Sequence, residues 1–135
     1  MLTSLHRALM FLLAGGMISG AWAATYDVTH SPGAGQYATV TAALAVATDN
    51  DVIEVIDNSA PFVENIVVDG SALSKNNLTI RGQAGLDPRP TIQGDPAATA
   101  NPYDAGIGRV LFTYNNSVDG LIVQNLIFKP TTNTT

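Results

Sequence analysis

Beyond residue 50 the chain alternates short apolar runs with dense polar turns. The runs are Val52-Ile53-Glu54-Val55-Ile56, Ile66-Val67-Val68, Leu78-Thr79-Ile80-Arg81, Thr91-Ile92-Gln93, Val110-Leu111-Phe112-Thr113-Tyr114 and Leu121-Ile122-Val123. Between them stand Asp57-Asn58, Asp69-Gly70, Asn76-Asn77, Gln93-Gly94-Asp95-Pro96 and Asn115-Asn116. Runs this short, separated by residues that favour turns, predict an all-β fold. Upstream, Thr25-Tyr26-Asp27-Val28-Thr29 predicts a further strand, and His30-Ser31-Pro32-Gly33-Ala34-Gly35 a loop. The period then changes. Val40, Ala43, Leu44 and Ala47 fall at helical spacing, with Thr39 or Thr41 as cap and Asp49-Asn50-Asp51 as terminator. They predict one small helix of about three turns.

Strand alternation assigns an inward set. It comprises Val40, Leu44, Ile53, Val55, Ile66, Val68, Leu78, Ile80, Ile92, Leu121, Val123, Leu126 and Phe128. Thr79, Arg81, Ile122 and Gln124 are expected outside, and residues 95–108 are expected to form an excursion. Asn77-Leu78-Thr79-Ile80-Arg81-Gly82 resembles Gly120-Leu121-Ile122-Val123-Gln124-Asn125 at an offset of 43. Half that offset is about one solenoid repeat, which predicts stacked coils. The apolar phase slips at Gln124-Asn125, so a sharp bend is expected there. The asparagines flanking the strands suit positive φ and side-chain ladders.

The chain opens with Arg7, an apolar run Ala8-Leu9-Met10-Phe11-Leu12-Leu13-Ala14, and then Ala21-Trp22-Ala23. A basic start, a short apolar segment and small residues at −3 and −1 predict a secretory signal peptide over residues 1–23, cut after Ala23. The apolar segment is shorter than the ~20 residues a bilayer span requires. Residues 24–135 would then form the exported domain, secreted or periplasmic. Only Arg7 leaves with the signal, so five basic residues face eleven acidic ones, a net charge of −6. That balance argues against nucleic acid and anionic membrane, is neutral toward uncharged glycans and is mildly unfavourable for polyanionic ones. With no cysteine, stability must come from burial and hydrogen bonding.

Four stretches look familiar together. They are Tyr37-Ala38-Thr39-Val40-Thr41-Ala42-Ala43-Leu44, Asn50-Asp51-Val52-Ile53-Glu54-Val55, Pro61-Phe62-Val63-Glu64-Asn65-Ile66 and Asn77-Leu78-Thr79-Ile80-Arg81-Gly82. Over residues 37–128 the chain resembles the opening of pectin-lyase-like right-handed β-helix proteins. The resemblance implies an all-β, right-handed parallel β-helix (a solenoid) begun by a short N-terminal capping α-helix. Residues 24–135 would be its N-terminal coils, ending in about the third and leaving the domain incomplete. The superfamily includes pectin methylesterases, pectate lyases, polygalacturonases, other uronate lyases and proteins without known activity. Ala60-Pro61-Phe62-Val63-Glu64 keeps the aromatic and the acid of the methylesterase opening but lacks its glycine and tyrosine. Nothing matches the later catalytic motifs, so no catalytic residue is carried over.

Individual residues invite sharper readings. Asp49, Asp51 and Asp57 offer oxygen ligands for calcium, but Asn and Asp at a helix end are ordinary turn formers. Glu54 and Glu64 could form an acid–base pair; a backbone-bonding role for Glu64 at a corner is favoured. Arg81, Arg89 and Arg109 could grip acidic sugars; solvated arginines on an acidic protein are favoured. His30 stands alone, and His6 leaves with the signal. Asn77, Asn115 and Asn133 open N-glycosylation sequons.

The expectation is therefore the N-terminal part of an exported β-helix protein that binds or processes polysaccharide, pectin-like or otherwise. The alternatives are a non-catalytic surface or structural β-helix protein, or a truncated product without a function of its own. If the whole protein is an enzyme, the resemblance implies a polysaccharide lyase, glycoside hydrolase or pectin esterase, with this chain alone inactive. No catalytic, cofactor-binding or metal residue is identified. The expected partner is polysaccharide, with no nucleic acid and no stable membrane span after cleavage. Self-association through an open C-terminal coil is also expected.

Overall fold

A computed structural model describes residues 22–97, 107–108, 111–114 and 118–132. Residues 1–21, which hold most of the expected signal, lie outside the described residues, as do 98–106 of the expected excursion.

The strands are β1 (Thr25–Val28), β2 (Val52–Val55), β3 (Phe62–Val63), β4 (Ile66–Asp69), β5 (Thr79–Gly82) and β6 (Thr91–Gln93). After them come β7 (Ile107–Gly108), β8 (Leu111–Tyr114), β9 (Ile122–Gln124), β10 (Ile127–Lys129) and β11 (Thr131–Thr132). They assemble into two small parallel sheets, one of four strands ordered β1-β2-β5-β9 and one of three ordered β10-β6-β3. Two further pairs stand apart, β4-β8 parallel and β11-β7 antiparallel.

Each strand of the four-stranded sheet shows the period of two expected of a half-buried strand. In β2, Ile53 and Val55 are buried while Val52 and Glu54 face outward; in β5, Ile80 and Gly82 are buried while Thr79 and Arg81 face outward. The core runs from Val28 through Val40, Ala43 and Leu44 to Ile53, Ile66, Leu78, Ile80 and Ile92. Fully burying each Ile or Leu of this set contributes about 2–3 kcal/mol. Ten of the thirteen expected inward residues are buried, and Leu121 and Val123 pack against the core half-buried. Phe128 stands in register with buried Ile92 and Phe62 yet keeps 36% of its surface exposed, although Leu126 beside it is buried.

The architecture corrects the expected β-helix. Among the described residues the only helix is five residues long, and neither a solenoid nor a closed right-handed β-helix is found. A solenoid stacks one rung length again and again. Here neighbouring strands of the four-stranded sheet are separated by 27, 27 and 43 residues. The antiparallel β11-β7 pair also has no place in a wholly parallel coil. The 43-residue similarity marks a single step between direct neighbours, because Thr79 of β5 faces Ile122 of β9. Halving that offset is therefore the error. The helix, α1 (Val40–Leu44), has five residues instead of three turns. It packs on β1, β2 and β4, so its expected role as the cap of a coil stack falls with the solenoid.

The turn chemistry explains the register. Asn50, Asn77 and Gly120 each stand two positions before a strand of the four-stranded sheet, and each has positive φ (65°, 54° and 67°). Asn77 Nδ2 donates to Asn50 Oδ1 at 3.3 Å, a side-chain ladder between turns. At the next turn a Cβ on residue 120 would lie 2.5 Å from Asn77 Oδ1, so any side chain there would have to displace Asn77 from the ladder, which glycine avoids. The bend expected at Gln124-Asn125 is present. Asn125 has φ of 57° and carries the chain from β9 in one sheet to β10 in the other.

Candidate functional site

The outward face of the four-stranded sheet brings four polar side chains into line. Parallel register sets Asp27 of β1 beside Glu54 of β2, Glu54 beside Arg81 of β5, and Arg81 beside Gln124 of β9. Each is the third position of its own strand; Asp27, Glu54 and Arg81 lie between residues that turn toward the core, and Gln124 ends β9 just before the bend at Asn125. At ~4.8 Å per strand the row spans roughly 14 Å. It presents two carboxylates, a guanidinium and an amide, a donor and acceptor set suited to sugar hydroxyls. Arg81 Nε donates to Glu54 Oε1 at 2.7 Å, which orients both groups; Arg81 keeps 39% of its side-chain surface exposed. Beside the row lie Thr25, Val52, Thr79 and the exposed Ile122. The row as a whole is mildly acidic, with two acids against one base.

The two glutamates weighed as an acid–base pair are kept apart by different tasks. Glu54 is bonded to Arg81 on the open face. Glu64 is buried at 8% exposure and accepts from Val40 N–H at 2.9 Å, Thr41 N–H at 2.8 Å and the Thr41 hydroxyl at 2.6 Å. It thus satisfies orphan donors in the first turn of α1, while the Thr39 hydroxyl accepts from Ala42 N–H at 3.0 Å. The aromatic of the same motif is structural as well. Phe62 is buried, and the exposed His30 ring stacks on it with centroids 3.9 Å apart.

The three aspartates weighed for calcium are likewise dispersed. Asp49 accepts from Asn76 N–H at 2.7 Å; the Ser74 hydroxyl and that N–H hold its carboxyl below the ordinary range. Asp51 is buried and accepts from Thr48 N–H at 2.7 Å and from Ala24 N–H at 2.8 Å. Asp57 accepts from Ser59 N–H at 2.8 Å and from His30 N–H and the Thr29 hydroxyl, each at 3.1 Å. Those donors, Ser59 foremost, push its carboxyl far below the usual range. Among the described residues no group of three His, Cys, Asp or Glu side chains converges on a metal position.

Arg89 is exposed in the loop before β6, away from the row, and Arg109 lies outside the described residues. So do Asn115 and Asn133; Asn77 is engaged in the asparagine ladder. A cleft of about 290 Å³ opens between α1 and β4, lined by Thr41, Leu44, Val67, Asp69, Leu73 and Lys75. Lys75 is buried there and donates to the Ala47 carbonyl. Burial depresses its ammonium pKa, against the pull of Asp51, Asp69 and Asp49. The amine is thereby spent on closing the end of the helical segment.

Sequence reasoning reached Glu54 and Arg81 but passed over Asp27 and Gln124. The signal was present: Thr25-Tyr26-Asp27-Val28, Val52-Ile53-Glu54-Val55 and Thr79-Ile80-Arg81-Gly82 repeat one polar position at a spacing of 27.

No family model, curated protein or solved structure matches the chain. The resemblance to pectin-lyase-like proteins thus rests on the sequence stretches alone. No described helix is long and apolar enough to cross a membrane.

Proposed function

We propose that this chain is exported, secreted or periplasmic, and binds a polysaccharide along the row Asp27, Glu54, Arg81 and Gln124. The observation that carries this reading is the row itself: four hydrogen-bonding side chains in register on the open face of one sheet. A linear polymer laid across the strands would meet one polar side chain at each strand. The net charge and the two carboxylates favour a neutral glycan over a polyuronate. The reading is one of binding without turnover, because Glu54 is paired with Arg81 within the row while Glu64 is buried and committed to the first turn of α1. Export is supported by the basic start, the apolar segment and Ala21-Trp22-Ala23. Affinity electrophoresis tests the binding: migration should be retarded in gels containing neutral glucan or xylan, less so with polygalacturonate. The retardation should be lost in Gln124→Ala. Equal migration in all gels would overturn the reading.

A second reading, self-association, has its own support. β9 and β10 are the terminal strands of their sheets as described, and they carry the exposed Ile122 (49%) and Phe128 (36%). Free strand edges bearing apolar side chains invite pairing. Sedimentation of the wild type beside Phe128→Lys tests it; a concentration-dependent mass confined to the wild type is the expected result.

A further inference from the structure

We propose that cleavage after Ala23 creates an ammonium on Ala24 that docks on the Asp51 carboxylate, locking the first strand of the exported form. The proposal rests on the export reading above and adds a receptor for the new N-terminus.

Two independent boundaries coincide at this bond. The Ala21-Trp22-Ala23 pattern places the cut between Ala23 and Ala24. In the fold, Trp22 is 95% exposed and Ala23 is exposed, whereas Ala24 is half-buried and held at both ends. Ala24 N–H donates to Asp51 Oδ1 at 2.8 Å, and Val52 N–H donates to the Ala24 carbonyl at 2.8 Å. β1 begins at the next residue. The scissile bond therefore sits where accessible chain meets held chain.

Asp51 is built to receive a cation. It is 4% exposed, so its charge is largely removed from water. Its Oδ2 is served by neutral donors, namely Thr48 N–H at 2.7 Å, the Thr48 hydroxyl at 3.1 Å and the Tyr26 hydroxyl at 3.4 Å. Its Oδ1 faces the Ala24 nitrogen. Lys75 is near enough to feel the Asp51 charge, but its amine is bonded to the Ala47 carbonyl. A buried carboxylate without a bonded cation is costly, and a charged donor roughly doubles the strength of a hydrogen bond.

The step balances with water and an export peptidase as catalyst. The Ala23–Ala24 amide is hydrolysed, Ala23 leaves as a carboxylate, and Ala24 gains the α-ammonium. The hydrogen bond already present is converted into an ion pair with no change of position. The precursor would thus be held more loosely than the mature chain, which suits a protein that must stay unfolded for export.

The test uses the chain of residues 24–135, released from a carrier with Ala24 free, beside the same chain acetylated on Ala24. The acetyl group keeps the N–H donor and removes only the charge. In urea the capped form should show an unfolding constant about tenfold larger, the difference between a charged and a neutral hydrogen bond. Asp51→Asn should abolish that tenfold gap. Should the variant not fold, titration of ¹⁵N-labelled Ala24 decides: its α-amine should titrate above the ordinary value of about 8. Equal constants for free and capped forms, or an α-amine titrating at or below 8, overturn the pairing. N-terminal sequencing of the exported protein tests the export reading separately. A first residue other than Ala24 overturns the cleavage site, and with it the pairing in the exporting cell.

Discussion

Arg81 of β5 reaches across to Glu54 of β2 and bonds it at 2.7 Å on the open face of the four-stranded sheet. Exposed ion pairs add little to stability, because solvent screens them and holding two long side chains costs entropy. Arg81→Ala should therefore shift the urea midpoint by the equivalent of less than about 1 kcal/mol. It should nonetheless weaken glycan binding, since the guanidinium is the row's only cation. A large loss of stability would mean that the pair serves the fold and not a ligand.

Glu64 has the opposite character. Its carboxylate is buried and accepts three hydrogen bonds from Val40 and Thr41. Glu64→Ala strands those donors and should cost about 2–3 kcal/mol in urea denaturation. Glu64→Gln keeps one acceptor and should cost roughly half as much. An alanine variant as stable as the wild type would contradict the capping role.

Gly82 closes β5 where two other segments press in. A Cβ there would lie 2.2 Å from the Asn125 carbonyl oxygen and 2.9 Å from Pro90 Cδ. Backbone cannot withdraw as a flexible side chain can, so Gly82→Ala should cost about 3 kcal/mol or prevent folding. Thermal melting of Gly82→Ala beside Gly85→Ala separates crowding from conformational strain. Residue 85 has open space but a φ of 86°, and its variant should lose less.

Asp57 makes stability depend on acidity. Ser59, then His30, hold its folded carboxyl far below its unfolded range. A depressed carboxylate stabilises the fold above its unfolded pKa of about 4, and the contribution is lost as pH falls toward the folded value. The urea midpoint of the wild type should thus drop as pH falls below 4, and Asp57→Asn should flatten that drop. A variant with the same slope would assign the acid sensitivity elsewhere.

Local structure was legible wherever one residue's neighbours decide its place. Ile80 and Leu78 go in, Arg81 and Thr79 go out, and Asn125 bends the chain, all as alternation and asparagine chemistry require. Phe128 shares the face of buried Ile92 and Phe62, as alternation requires, but stays partly exposed because among the described residues β10 ends its sheet and no strand covers the ring on one side. The architecture was not legible for a related reason. Which strands lie side by side depends on pairings 27 to 43 residues apart. The apolar pattern of one strand says nothing about its neighbour, so a real similarity between residues 77–82 and 120–125 was turned into a false repeat. The row was half legible: Glu54 and Arg81 drew notice as charges, while Asp27 and Gln124 acquire meaning only once β1 and β9 are placed beside them.

The central claim, that the row Asp27–Glu54–Arg81–Gln124 is a glycan-binding face, is tested most directly by titrating a neutral oligosaccharide into ¹⁵N-labelled protein. Backbone and side-chain shifts should move at these four residues and at Thr79 and Ile122 beside them, and Gln124→Ala should abolish the movement. Shifts confined to the cleft around Lys75 and Leu44, or none at saturating sugar, would contradict it.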